Sequence, residues 1–288
     1  MEDQRPSIML GCGERGLRDL PMEEHFALAQ RLGFRYMEFG IGGGQKGRLP
    51  EEPTVSDVKA FQKLAGNYGI QTPYCCIDND FTMVNLLKHM RSVETVIEQI
   101  NAAADCGATQ IRLLVGDAPY EKMNDDRWRR MIEAFESCNT VCADLGVRIA
   151  IETQGAMKTN ADGTVTHSST VSTNFEGLNR LVDDLPPAVG FNYDPANIKV
   201  AEPGCNDLHL PLLNHRVTYC HLKDWIEAGD GWMACAPGDS NLNYESLLEQ
   251  MRFDGVYLIE YEQTHDVEAG IQRSIAYLES VCENVVFG

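Results

Sequence analysis

The sequence predicts an α/β fold of one domain, a (β/α)8 barrel running over residues 1–288. Three observations predict it. Eight short apolar runs alternate with amphipathic stretches from end to end, about 30 to 40 residues apart, which is the period of a repeated βα unit. Glycines close several amphipathic stretches just before the next apolar run, as helix-ending glycines do. No Pro/Ser-rich linker or shift of composition divides the chain. A doubly wound open sheet is the competing architecture, but eight units fill the length and leave no second domain.

Taken in order, the predicted strands are Ile8–Leu10, Tyr36–Phe39, Thr72–Cys76, Gln110–Val115, Val147–Ile151, Val189–Tyr193, Val217–Cys220 and Val256–Ile259. The predicted helices are Met22–Leu32, Val55–Tyr68, Val84–Cys106, Asp125–Leu145, Phe175–Leu185, Asp207–Leu213, Tyr244–Met251 and Val267–Cys282. Gly33, Gly69, Gly107 and Gly146 end four of these helices. Residues 154–173, QGAMKTNADGTVTHSSTVST, form a long polar stretch after the fifth strand. Such a segment is expected to be a loop over the C-terminal face with a substrate-covering role.

Bulk composition sets limits on function. The net charge of −19 repels phosphate backbones and anionic membrane surfaces, so no nucleic acid and no membrane is expected as partner. No apolar run approaches the roughly 18 residues of a membrane span. The start, MEDQRPSIML, lacks the basic-then-apolar pattern of a secretory signal. The ten cysteines include no CxxC pair, and several sit in apolar runs. They read as reduced core thiols of a cytoplasmic protein.

Barrel chemistry sits where the strands end. Strand five ends RIAIE, placing Glu152 at its tip; strand six ends FNYD, placing Asp194 there. Strand seven ends TYCH and strand eight YLIE, placing His221 and Glu260 at the same edge. Side chains alternate along a strand. Inward Glu152 goes with Ala150, inward Asp194 with Asn192, and inward Glu260 with Leu258. Ile149, Ile151, Phe191, Tyr193, Tyr257 and Ile259 then face the helices. A single acid at a strand tip is usually a helix cap or rim ion pair, but four ligand residues on neighbouring strands point to one divalent metal ion. Three carboxylates and one imidazole make a mainly hard site, which favours Mn²⁺, Mg²⁺ or Co²⁺ over structural zinc; softness does not separate those three.

The segments IAIET, NYDPAN, YCHLKDW, PGDSNLNYESLL and YLIEYE follow in this order, with DFT and ADCGATQIRLLVGD upstream. Together they resemble the xylose isomerase-like TIM barrel superfamily, in particular its sugar phosphate isomerase/epimerase group. The resemblance covers nearly the whole chain. It implies a Glu, Asp, His, Glu metal set at Glu152, Asp194, His221 and Glu260. It further implies that Glu152 and Glu260 exchange the substrate proton, as in ketose 3-epimerases. Those epimerases carry a His three residues after the Asp and an Arg six residues after the metal His; this chain has Asn197 and Glu227. The HLKD segment is closer to inosose dehydratases. The implied activity is a metal-dependent sugar isomerase/epimerase acting on a ketose or keto-sugar through an enediolate. The alternative is a lyase/dehydratase acting on a keto-inositol or 3-keto-glycoside. The partner is a small-molecule sugar or cyclitol, and the resemblance admits a homo-oligomer.

Lys223 shares the inward parity of His221 and is expected to bind a substrate oxyanion or phosphate; the plainer alternative is a pair with Asp224. Asn197, Glu38 and Arg112 are the other expected substrate contacts, with Arg112 balancing Glu38 inside the barrel. His167 and His265 lie in loops at the same end, where a lone histidine is usually solvated. Gly11, Gly13 and Gly16 form a lone GxGxxG after an apolar run, with Glu38 about twenty residues on, as in a dinucleotide-binding fingerprint. The next helix starts near Pro21, so these glycines miss the helix N-terminus that must face a pyrophosphate. A metal-dependent abasic-site nuclease shares the broad superfamily, but the acidic charge opposes it. A non-catalytic sugar-binding protein is the third class.

Overall fold

The computed structural model describes residues 5–287. Eight parallel strands form the barrel: β1 (Ser7–Cys12), β2 (Tyr36–Ile41), β3 (Gln71–Ile77), β4 (Gln110–Leu113), β5 (Arg148–Glu152), β8 (Gly190–Tyr193), β9 (Val217–Leu222) and β12 (Val256–Ile259). The ring closes where Met9, Leu10, Gly11 and Cys12 of β1 stand opposite Val256, Tyr257, Leu258 and Ile259 of β12. The expected eight-strand architecture is therefore the observed one.

The lone GxGxxG belongs to this closure. A side chain at Gly11 would strike Leu258 and Val256, one at Gly13 would lie 2.7 Å from the Ile259 carbonyl, and one at Gly16 would strike the Tyr261 carbonyl. The glycines let the first strand press against the last, and no dinucleotide loop forms. A further strand, β13 (Asn284–Val286), pairs with Ser7–Met9 on the flank of β1 that β2 reaches only at Cys12.

The helices are α1 (Met22–Arg31), α2 (Val55–Tyr68), α3 (Leu86–Asp105), α4 (Asp125–Leu145), α5 (Phe175–Asp184), α6 (Pro195–Ala201), α7 (Leu210–Leu213), α8 (Tyr244–Gln250) and α9 (Val267–Val281). Asn85, Asn124, Asn174 and Asn243 each accept a backbone N–H of the first turn and so start α3, α4, α5 and α8. Gly69 and Gly146 end α2 and α4 in the left-handed conformation. One predicted helix, 207–213, shrinks to α7, because Leu208 and His209 take positive φ just before it. Instead α6 forms earlier, where Asp194 caps the Asn197 N–H and Pro195 sits at the first helical position.

Alternation sorts the strand residues as parity requires. Ile149, Ile151, Phe191, Tyr193, Tyr257 and Ile259 pack into the large core against the helices. Tyr74, Ala150, Tyr219, Val256 and Leu258 form a separate cluster inside the barrel. Tyr74 and Tyr219 meet edge to face there, with centroids 4.9 Å apart. Each large side chain so buried contributes roughly 1.5–3 kcal/mol.

Residues 154–173 are not the irregular loop expected. They contain β6 (Ala156–Thr159) and β7 (Val165–Ser168), an antiparallel hairpin. A second hairpin, β10 (Asp224–Ala228) and β11 (Gly231–Cys235), joins it through Trp232 and Val165 to make a four-stranded sheet at the C-terminal end of the barrel. Among the described residues, no helix is long and apolar enough to cross a membrane.

Candidate active site

Glu152 is the last residue of β5, Asp194 follows β8, His221 lies near the end of β9 and Glu260 follows β12. The closure of the ring makes these strands neighbours, so their tips converge. Each of the four offers a ligand atom, and these atoms all lie within 4.8 Å of one another. All four residues are buried, Asp194 and His221 completely.

The imidazole of His221 divides the site. Its Nδ1 lies 3.3 Å from Glu152 Oε1, 3.5 Å from Glu260 Oε2 and 4.0 Å from Asp194 Oδ2. Its Nε2 donates to Glu38 Oε1 at 2.8 Å. Glu38 accepts further from the Tyr219 hydroxyl and from the Glu14 N–H. Glu38 therefore lies beneath the histidine with its oxygens engaged, rather than at the open mouth where substrate contact was expected. Arg112 balances it only through space: that guanidinium lies 3.2 Å from Glu152 Oε2 and donates to Asp78 at 3.0 Å, and the Glu38 charge adds to those that keep it protonated. Asp78 and Glu14 are in turn bound by Arg48. Asn197 donates to Glu152 Oε1 and to Gln154, both at 3.3 Å.

Lys223 is only 2% exposed. Its ammonium stands 2.6 Å from Glu260, 2.7 Å from Glu262 and 3.1 Å from Asp194. It does not pair with Asp224, whose partners are Lys199 and Ser240. The carboxylate cage thus already surrounds a cationic nitrogen. Asp194 Oδ2 is buried, and its charge is met by that ammonium alone. A hard donor set and close mutual spacing suit a divalent cation. Lining the adjacent cavity of about 170 Å³ are Arg15, Asp78, Gln154, Met157 and Glu262, among others.

The electrostatics show a surplus of negative charge. Burial opposes ionisation of Lys223, but Asp194, Glu260, Glu262 and Glu152 outweigh it and hold the ammonium well above the ordinary lysine range. Burial likewise opposes a charged His221, and Glu260 and Glu38 overcome it. Among the carboxylates, burial pushes Asp194 up to about 6 and Glu260 up to about 7. Burial acts on Glu152 too, but Arg112 holds it below the usual range. Cys76 also lies near Glu38 and His221, yet burial holds its thiol protonated.

Several participants were not singled out in the sequence. Glu262 shares the inward parity of Glu260 two residues on, so YLIEYE carried the signal. Asp78 directly follows β3 as an acid at a strand end. Arg48 sits in the loop after β2, where no periodicity places it. His167 departs from the solvated state expected: it is 9% exposed, packs on Trp225 with ring centroids 4.6 Å apart, and neither nitrogen has a partner. His265 is exposed.

Solved structures share this architecture. A 3-keto-D-glucoside 4-epimerase from E. coli matches with a TM-score of 0.68 at 15% identity, covering 95% of this chain and 100% of that one. A probable 3-DHS dehydratase from Bacillus anthracis matches with a TM-score of 0.72 at 13% identity, covering 94% and 99%. A xylose isomerase-like TIM barrel protein from Mycobacterium smegmatis in complex with magnesium matches with a TM-score of 0.70 at 13% identity, covering 96% of each chain. At these identities the likeness establishes the fold alone. A search of curated proteins returns no match to this chain. A profile described as xylose isomerase-like TIM barrel matches residues 26–281, nearly the full length, and the chain belongs to that family.

Proposed function

We propose that the protein is a divalent-metal-dependent sugar isomerase or epimerase that removes a proton beside the carbonyl of a ketose or keto-sugar. The observation that carries this reading is the convergence of Glu152, Asp194, His221 and Glu260 on one buried point at the barrel mouth. The epimerase and dehydratase among the structural neighbours support it. The four residues hold the cation, with Mn²⁺ the first choice and Mg²⁺ or Co²⁺ the alternatives. When bound, the cation polarises the carbonyl and offsets the charge that develops as the neighbouring C–H ionises.

The side chains do the rest. Glu152 and Glu260 leave β5 and β12, on either flank of Asp194 and His221, so each reaches a different side of a substrate lying across the mouth. One carboxylate removes the proton and the other returns one, to the opposite face for epimerisation or to the adjacent carbon for isomerisation. Arg112 and Asn197 fix the Glu152 carboxylate. Glu38 fixes the His221 ring through Nε2. Lys223 binds a substrate oxygen. Its position 2.6 Å from Glu260 also favours a second reading. An ammonium there is placed to hold the oxygen of a β-leaving group as it departs, giving a lyase or dehydratase on a keto-inositol or 3-keto-glycoside.

The test is isotope exchange. Protein loaded with Mn²⁺ is incubated in deuterated water with ketoses, keto-inositols and 3-keto-glycosides. Deuterium enters one carbon of the true substrate, without loss of a group for the isomerase and with it for the lyase. Glu152→Gln and Glu260→Gln each abolish the uptake; full uptake in either variant removes that glutamate from the role. Tight metal binding with no uptake across the panel points to a non-catalytic sugar-binding protein.

A further inference from the structure

We infer that the substrate taken at the barrel mouth is a keto-sugar acid, and that Arg15, on the cavity wall outside the metal cage, receives its carboxylate. The inference rests on the isomerase or lyase reading of the mouth and names the kind of sugar that fits it.

The chain after β1 fixes where Arg15 stands. It leaves the strand at Gly13, whose N–H donates to the Ile259 carbonyl at 2.8 Å, and passes through a single 3-10 turn, Arg15–Leu17. Gly16 lies flush on the Tyr261 carbonyl, where any side chain would collide. One guanidinium nitrogen of Arg18 donates to the Arg15 carbonyl at 2.8 Å and to the Glu262 carbonyl at 3.0 Å. The Arg15 backbone is thus pinned to the segment that carries Glu260 and Glu262, and Arg15 lines the cavity of about 170 Å³ beside the cage.

The charges around that cavity leave one cation over. Asp78 is held by Arg48 and Arg112, and Glu152 by Arg112. Glu260 and Glu262 are held by Lys223. Among the described residues the Arg15 side chain has neither an ion pair nor a hydrogen bond; only its backbone carbonyl is engaged. Lys223 does not take the anion, because three carboxylates already crowd its ammonium.

Arg15 is half-buried, and a sugar filling the cavity removes water from its guanidinium. A neutral sugar leaves that charge desolvated and uncompensated, which is unfavourable. A carboxylate replaces the water with two parallel charge-assisted hydrogen bonds. A phosphate fits less well. It carries about −1.5 to −2 charges at neutral pH. One guanidinium offsets one of them, and the surplus faces Asp78 and Glu262 on the same walls.

Fructose, fructuronate and fructose 6-phosphate differ only at the carbon farthest from the keto group, which bears a hydroxyl, a carboxylate and a phosphate respectively. Calorimetry of their binding to the full chain loaded with Mn²⁺ tests the inference without requiring turnover. Fructuronate is expected to bind most tightly. Arg15→Met weakens it roughly 10- to 100-fold, as loss of a charge-assisted pair does, and leaves fructose unchanged. Arg15→Lys keeps the charge but not the fork and falls between. Unfolding curves check that both variants are folded. No preference for fructuronate over fructose, tighter binding of fructose 6-phosphate, or a preference that survives Arg15→Met overturns the assignment. The preference without deuterium uptake on any substrate faults the reaction and keeps the carboxylate at Arg15.

Discussion

The two ends of the barrel interior are built on the same strands and obey opposite rules. At the floor, Ala150, Tyr219 and Leu258 point inward and pack with Tyr74 and Val256. Two residues further along the same strands the inward positions are Glu152, His221 and Glu260, about 7 Å away at the usual strand rise. The floor is a packed cluster of aromatic and aliphatic side chains. The mouth gathers buried carboxylates around one ammonium and one imidazole. Apolar packing and buried charge are thus separated along the barrel axis by a single inward-facing repeat.

The largest effect is expected where the mouth depends on its internal cation. Lys223→Met leaves Glu260, Glu262 and Asp194 without it. Losing one partner of a buried charge group costs about 3–5 kcal/mol. Denaturant unfolding checks this, and saturating Mn²⁺ should restore most of the loss by binding only the folded state. If Lys223→Met is as stable as the parent without metal, the mouth does not carry the strain assigned to it.

At the floor, Leu258→Ala should cost roughly 3 kcal/mol through the cavity it opens. Manganese affinity by calorimetry should stay nearly unchanged, since Leu258 offers no polar group to any of the four ligands. A parallel fall in affinity would erase the distinction between the two ends.

The sheet above the mouth supplies a pH-dependent contrast. Burial lowers the His167 pKa from 6.5 to about 4. The unfolded chain then binds more protons between those values, so this residue's contribution is intact above pH 6.5 and is lost as pH falls toward 4. Compared with His167→Phe, the parent should lose about 2 kcal/mol more between pH 8 and pH 5. Equal pH slopes for the two proteins would show that the imidazole is solvated after all.

The smallest effect is expected at the junction of floor and mouth. Tyr219→Phe keeps the ring but removes the hydroxyl that donates to Glu38, the partner of His221. Such outer partners change metal affinity by about 10–100-fold, and one hydrogen bond removed at this distance belongs near the lower figure.

Much of this is legible in the sequence. Alternation and strand length placed the grouping of Glu152, Asp194, His221 and Glu260, and they sorted Ile149, Phe191 and Tyr257 to the outer core. What escaped depends on contacts between distant segments. That Glu38 sits beneath His221 depends on which side chains meet across the interior, and sequence period does not report that. The pairing of β7 with β11 joins Val165 to Trp232, and neither hairpin has a partner in its own neighbourhood of the chain. The helix α6 is too short to show a period, and its Asp-Pro start read as part of a metal motif rather than as a cap.

That double duty of Asp194 has a consequence for motion. The same carboxylate that faces the cage anchors the first turn of α6, and Lys199 on that helix grips Asp224, the Trp225 carbonyl and Ser240. Whatever immobilises the acid also steadies the roof formed by the two hairpins. Slower amide exchange in residues 195–201 and 224–235 on adding manganese would be the trace of that mechanical link.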